Sequence, residues 1–90
     1  MGEVMNMEEV RVTEVPTGHT GGEIMDAFTA RFRCAQPVGA GVRLRSGGGW
    51  VTVTPQTGSV RIRAEGDSAE IAEELCGFYE RELREIEEEK

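Results

Sequence analysis

Sixteen residues near the middle of the chain, Trp50-Val51-Thr52-Val53-Thr54-Pro55-Gln56-Thr57-Gly58-Ser59-Val60-Arg61-Ile62-Arg63-Ala64-Glu65, leave little choice of local structure. Before the break at residues 55–59, Trp50, Thr52 and Thr54 alternate with Val51 and Val53. After it, Val60, Ile62 and Ala64 alternate with Arg61, Arg63 and Glu65. Successive strand side chains point to opposite faces, so a period of two predicts a β-hairpin with one apolar and one polar face. The apolar face has to be covered by something else in the chain.

Two amphipathic segments are available to cover it. Residues 21–33 carry Ile24, Phe28 and Phe32 at helical spacing with Met25 and Ala27 beside them, and Thr20 followed by Glu23 forms a capping box ahead of them. Residues 67–87 carry Ile71, Leu75, Tyr79 and Leu83 every fourth position, flanked by Ala72, Cys76, Phe78 and Ile86, with Asp67 and Glu70 as a second capping box. Gly77 in the middle of this helix costs about 1 kcal/mol relative to alanine, which predicts a close approach to the sheet there. Two further strands are expected. Residues 9–15 put Val10 and Val12 inward and Arg11 and Thr13 outward, and Pro16 ends the strand. Residues 41–45 put Val42 and Leu44 inward and Arg43 and Arg45 outward. Residues 35–41, with Pro37, are expected to be a loop. The order strand, helix, three strands, helix predicts an α+β fold, a two-layer βαβββα domain with a four-stranded antiparallel sheet and both helices on one face. The expected organisation is a flexible segment over residues 1–8, a single domain over 9–87 and a flexible tail over 88–90.

Ninety residues make one small domain in which a large catalytic cleft is not expected. No apolar run approaches the roughly 18 residues of a membrane span, and residues 1–9 lack the pattern of a secretory signal, so a cytoplasmic protein with no membrane partner is expected. Cys34 and Cys76 form no Cys-x-x-Cys pair and the chain has one histidine, so both cysteines read as small apolar fillers and no metal site is expected. His19 reads as a solvated loop residue. The net charge of -7 conceals a partition: residues 27–64 hold six arginines and no acid, while the other four cations share the rest of the chain with all seventeen acids. The strands would thus display Arg11, Arg43, Arg45, Arg61 and Arg63 on the uncovered face. They form either a solvated surface or an anion-attracting one, since guanidinium groups suit phosphate and carboxylate.

Two loops contain residues that suit anions. Residues 55–59 include Thr57-Gly58-Ser59, whose hydroxyls and backbone amides are able to cradle an oxyanion, although the same residues suit an ordinary hairpin turn. Thr17-Gly18-His19-Thr20-Gly21-Gly22 precedes a helix N-terminus, but it lacks a phosphate-loop lysine and Glu23 would repel an anion, so capping is the preferred reading.

Gly41-Val42-Arg43-Leu44, Gly49-Trp50-Val51-Thr52-Val53-Thr54-Pro55, Val60-Arg61-Ile62-Arg63-Ala64-Glu65 and Ala72-Glu73-Glu74-Leu75 together resemble the C-terminal domain of the phosphohexomutases, the phosphomannomutase and phosphoglucosamine mutase family. The resemblance covers residues 39–75. It implies a small domain that contacts a phosphorylated sugar through Thr54, Gln56, Thr57, Gly58 and Ser59, with Arg43, Arg45, Arg61 and Arg63 as further anion-facing candidates. Thr54 stands where the family has an arginine, and the loop is shorter, so phosphate binding is expected to be weakened: a neutral hydroxyl cannot make the bidentate contact of a guanidinium. The family's phosphorylatable serine loop and acidic magnesium loop do not occur in these residues. The chain is therefore expected to be non-catalytic on its own and to need no cofactor, with magnesium and intramolecular phosphotransfer belonging only to a full-length mutase parent. Either a stand-alone relative or an excised domain fits this description. The competing expectation is a protein-interaction or dimerisation module that keeps the fold without the ligand site. A single-stranded nucleic acid ranks last as a partner, because Trp50 is the only aromatic residue in the strands.

Overall fold

A computed structural model of the protein describes residues 9–89. The elements are β1 (Glu9–Pro16), α1 (Gly21–Arg31), β2 (Gln36–Val38), β3 (Gly41–Ser46), β4 (Gly49–Gln56), β5 (Ser59–Gly66) and α2 (Ala69–Glu89). The strands form one antiparallel sheet in the order β1-β5-β4-β3-β2. The architecture is thus α+β with two helices, as expected, but the sheet has five strands. The expected flexible segment at residues 1–8 lies outside the described residues, and α2 continues past residue 87 to Glu89.

The alternation in the central hairpin places its side chains as the period requires. Val51, Val53, Ile62 and Ala64 are fully buried, with Val60 beside them. α1 covers this face over β3 and β4 with Ile24, Met25 and Phe28, and α2 covers β1 and β5 with Ala72, Cys76, Tyr79, Leu83 and Ile86. An aromatic group joins the helices: the Phe28 and Phe32 rings lie 4.8 Å apart, and Phe32 and Tyr79 5.1 Å apart. Each fully buried large apolar side chain is worth about 1.5–3 kcal/mol.

The helix starts follow from local chemistry. The Thr20 hydroxyl accepts from the Glu23 amide and the Glu23 carboxylate accepts from the Thr20 amide, completing the expected capping box. At α2 the cap is Ser68 rather than Asp67: its hydroxyl accepts from the Ile71 amide at 3.2 Å. α1 ends at Arg31, with Phe32 in a non-helical C-cap conformation, short of the expected residue 33.

Three other expectations are corrected. The stretch after α1 is not all loop. Gln36, Pro37 and Val38 pair with Arg43, Val42 and Gly41 as an edge strand, and Pro37 is tolerated there because an edge position needs no second partner for its backbone. In β1 the phase is reversed. Arg11, Thr13 and Val15 pair with Ala64, Ile62 and Val60 on the helix side, so Val10 and Val12 lie on the open side, 37% and 51% exposed. Val15, buried at 3%, sets that phase, and Arg11 reaches solvent from the sheet margin. Finally, Gly77 makes no close approach to the sheet. A Cβ there would meet only the flexible end of Arg81, at 3.9 Å.

Gly77 is therefore a propensity cost without a packing reason. Gly77→Ala should stabilise the fold by about 0.5–1 kcal/mol, because alanine loses less backbone entropy in a helix. A urea or thermal melt that shows no gain, or a loss, would contradict this reading of the position.

Candidate functional site

With both helices on one side, the other side of the sheet is open, and strand register arranges its side chains in rows. One row runs Gln36, Arg43, Thr52, Arg63, Val12, and the next runs Arg45, Trp50, Glu65, Val10. A third row holds Thr54, Arg61 and Glu14. Trp50 is thus near the middle of the sheet and still 38% exposed. Its ring is flanked by two guanidinium groups, with Arg43 Cζ 4.4 Å and Arg45 Cζ 5.8 Å from the centroid. Both are within cation–π range.

The other charges on this face form a loose network. Glu65 receives both Arg43, at 3.6 Å, and Arg63, while Arg61 lies 3.6 Å from Glu14. Arg45 has no carboxylate partner among the described residues. Among the described residues, Arg43, Arg45, Arg61 and Arg63 outnumber Glu14, Glu65 and the nearby Asp67, so this part of the face is cationic. At its end, beside Trp50, a cleft of about 150 Å³ is lined by Arg45, Gly48, Gly49, Trp50, Glu65, Gly66 and Asp67. The expected anion-facing set Arg43, Arg45, Arg61 and Arg63 therefore shares one face, while Arg11 belongs to the other. Arg31, from the same arginine-rich segment, is on the helix side and is held by α2, bonding Glu82 at 2.9 Å, Glu85 at 3.2 Å and Glu89 at 3.0 Å. The Glu82 bond, aided by Glu89, raises its pKa above the ordinary arginine value.

The candidate phosphate-contacting residues are not gathered in a loop. β4 extends through Gln56 and β5 starts at Ser59, so Thr57 and Gly58 alone make the turn, with Gly58 at φ 77°. Thr54 sits in the strand opposite Arg61, and Gln56 sits opposite Ser59. The Gly58 carbonyl accepts from the Thr17 amide at 3.1 Å. Gln56, Thr57, Gly58 and Ser59 are neighbours at the turn, while Thr54 is two residues back in the strand.

The glycine-rich segment after β1 is engaged by the chain's own acid. The Glu87 carboxylate from α2 accepts from the Thr17 hydroxyl and from the Gly18 amide at 3.0 Å. His19 lies between Glu23 at 3.8 Å and Glu87 at 3.9 Å, half-buried rather than solvated and unaccompanied. Cys76 is buried as expected, which raises its thiol pKa, but Cys34 is exposed. Among the described residues no group of three His, Cys, Asp or Glu side chains is placed to hold a metal, and no helix is long and apolar enough to cross a membrane.

Sequence reasoning missed two features: the Arg–Trp–Arg stack and the Glu87 contact. The first had a signal, since a two-residue turn at Gly47-Gly48 sets Arg45 opposite Trp50. The second joins residues seventy positions apart and had none. The chain matches no family model, no curated protein and no solved structure.

Glu87 gives a pH test. The Thr17 hydroxyl, then the Gly18 amide, hold its pKa below the ordinary value of 4.5. A carboxylate depressed in the folded state contributes stability above its unfolded pKa and loses it as pH falls through the folded value. The stability difference between wild type and Glu87→Gln should shrink as pH falls below 4.5. A difference independent of pH would show that the contact is not an ionised one.

Proposed function

We propose that the protein is a non-catalytic interaction module whose open sheet face receives an acidic segment of another protein. The observation that carries this reading is the exposed Trp50 flanked by Arg43 and Arg45, in a row with no helix over it. Tryptophan and arginine are the residues that most often anchor protein interfaces. The adjacent 150 Å³ cleft has room for one side chain and is below the roughly 300–1,000 Å³ of a small-molecule site.

The resemblance to the phosphohexomutase C-terminal domain supplies the second reading, a weakened phosphosugar contact through Thr54, Gln56, Thr57, Gly58 and Ser59. Thr57, Gly58 and Ser59 at a positive-φ turn favour it. The brevity of that turn and the strand positions of Thr54 and Gln56 favour the interaction module instead, because a phosphate needs several donors converging on it.

Trp50 is the only tryptophan, so its fluorescence reports on the face directly. An Asp/Glu-rich peptide should change that fluorescence saturably, bind more weakly as salt screens the charges, and lose affinity when Arg45 and Arg61 are both replaced by alanine. Glucose 6-phosphate should produce no saturable change below millimolar concentration. Micromolar glucose 6-phosphate binding with amide shifts centred on Thr57, Gly58 and Ser59 would replace the interaction reading with the phosphosugar one.

A further inference from the structure

We infer that β1 is a dimerisation edge, pairing antiparallel with β1 of a second copy so that Val12 faces Val12 across a two-fold axis. The sheet ends in two unlike edges. β2 is three residues long and contains Pro37, which has no N–H to offer, so that edge is blunted. β1 is eight residues long, extends along the whole of β5, and has no strand on its outer side among the described residues. Alternate backbone N–H and C=O groups of such an edge point away from the sheet and are ready to pair. The same strand puts Val10 and Val12 on the open face, where no helix covers them.

The sequence of β1 selects both the occupant and the register. Directly opposed residues of an antiparallel pair point to the same face, so the axis must pass between two copies of the same residue. An axis at Arg11 opposes two guanidinium groups, and one at Glu14 opposes two carboxylates; like charges directly opposite are unfavourable. An axis at Thr13 separates the valines and brings Pro16 into the ladder. Axes at Glu9, Val10, Val15 or Pro16 pair only the ends of the strand. An axis at Val12 pairs all of residues 9–15 and leaves Pro16 outside. It sets Val12 on Val12, Val10 beside Glu14, and Arg11 beside the Thr13 hydroxyl, with no like charges opposed. The strand is thus complementary to itself, which points to a second copy rather than an unrelated strand. The product is a continuous ten-stranded sheet with the two arginine faces side by side. This edge is a different surface from the Trp50 face, so either inference can fail while the other stands.

Light scattering over a concentration series should find a mass rising to twice that of the single chain. Val12→Glu should return it to the single-chain mass with an unchanged far-UV circular dichroism spectrum, since an exposed glutamate there pairs with Arg63 within its own sheet. Residues opposed across an antiparallel pair have Cα atoms about 4.5–5.5 Å apart, inside the range a disulfide spans. In a Cys34→Ser background, which removes the exposed native thiol, Val12→Cys should cross-link to a covalent dimer on mild oxidation. Val38→Cys, equally exposed but on the other edge, should dimerise without forming the covalent cross-link. A single-chain mass throughout the series would overturn the proposal. So would a dimer in which Val12→Cys cross-links no faster than Val38→Cys, because the interface would then lie elsewhere.

Discussion

Burial of the helix-facing side of β4 and β5 is the constraint on which the rest of this structure depends. Val51, Val53, Ile62 and Ala64 have no exposed surface, and Phe28, Ile24, Leu83 and Ile86 come down on them from the two helices. Losing one such large side chain costs about 2–5 kcal/mol, a large part of the 5–15 kcal/mol by which a small domain is stable. Because the pleat alternates, fixing these residues inward also fixes Trp50, Thr52, Arg61 and Arg63 outward. The cationic face is therefore a geometric consequence of the core. A one-residue slip that flips β5 would bury Arg61 and Arg63 and expose Val60, Ile62 and Ala64, so the core protects the arrangement of the face as well as the fold.

The sequence was most legible where a long period met a long element. The β4–β5 hairpin, most of the apolar stripes of both helices and the Thr20–Glu23 box follow from spacing alone, although Phe78, expected in the second stripe, is 42% exposed. It was least legible at the margins of the sheet. In β1 each phase offers apolar residues, Val10 and Val12 in one and Val15 in the other, and only pairing with β5 decides between them. Three residues of β2 are too few to display a period, and its Pro37 argued for a loop. The open-face arginines were legible as a set because period two places Arg43, Arg45, Arg61 and Arg63 on one face. That Arg31 belongs to α2's glutamates was not, since nothing local marks residues fifty or more positions apart as neighbours.

The opposed charges are spatially sorted in a way that bears on binding. Arg31 and the Glu82, Glu85 and Glu89 side chains tie α1 to α2 on the helix side, away from the open face. On the open face, the Arg61–Glu14 and Arg43–Glu65 contacts are long, at 3.6 Å, with both arginines exposed. Arg61–Glu14, exposed on both sides, contributes about 0–1 kcal/mol, whereas Glu65 is only 16% exposed and also holds Arg63. Were the face to receive a carboxylate as proposed, Glu14 is the resident group it would displace at little cost, while Glu14 and Glu65 together temper the positive field of the unbound face.

The Trp50 stack sharpens that argument. A guanidinium lying over an indole keeps its N–H groups directed outward around the ring's edge, still free to donate in the fork that matches a carboxylate. A long side chain ordinarily loses about 0.5–1.5 kcal/mol of freedom when an interface immobilises it. Arg43, at 4.4 Å from the ring centroid and anchored on its other side by Glu65, has given up part of that freedom already in the unbound protein. Arg45 lies farther from the ring, at 5.8 Å, and has no carboxylate of its own among the described residues, so it is the guanidinium with donors to spare. On the proposed reading the pair would divide the work: Arg43 and Trp50 form an ordered platform, and Arg45, which lines the cleft, would meet the incoming acid. Replacing Arg45 by lysine would keep the charge but lose the planar fork, so that substitution would separate recognition of a positioned carboxylate from attraction by diffuse charge.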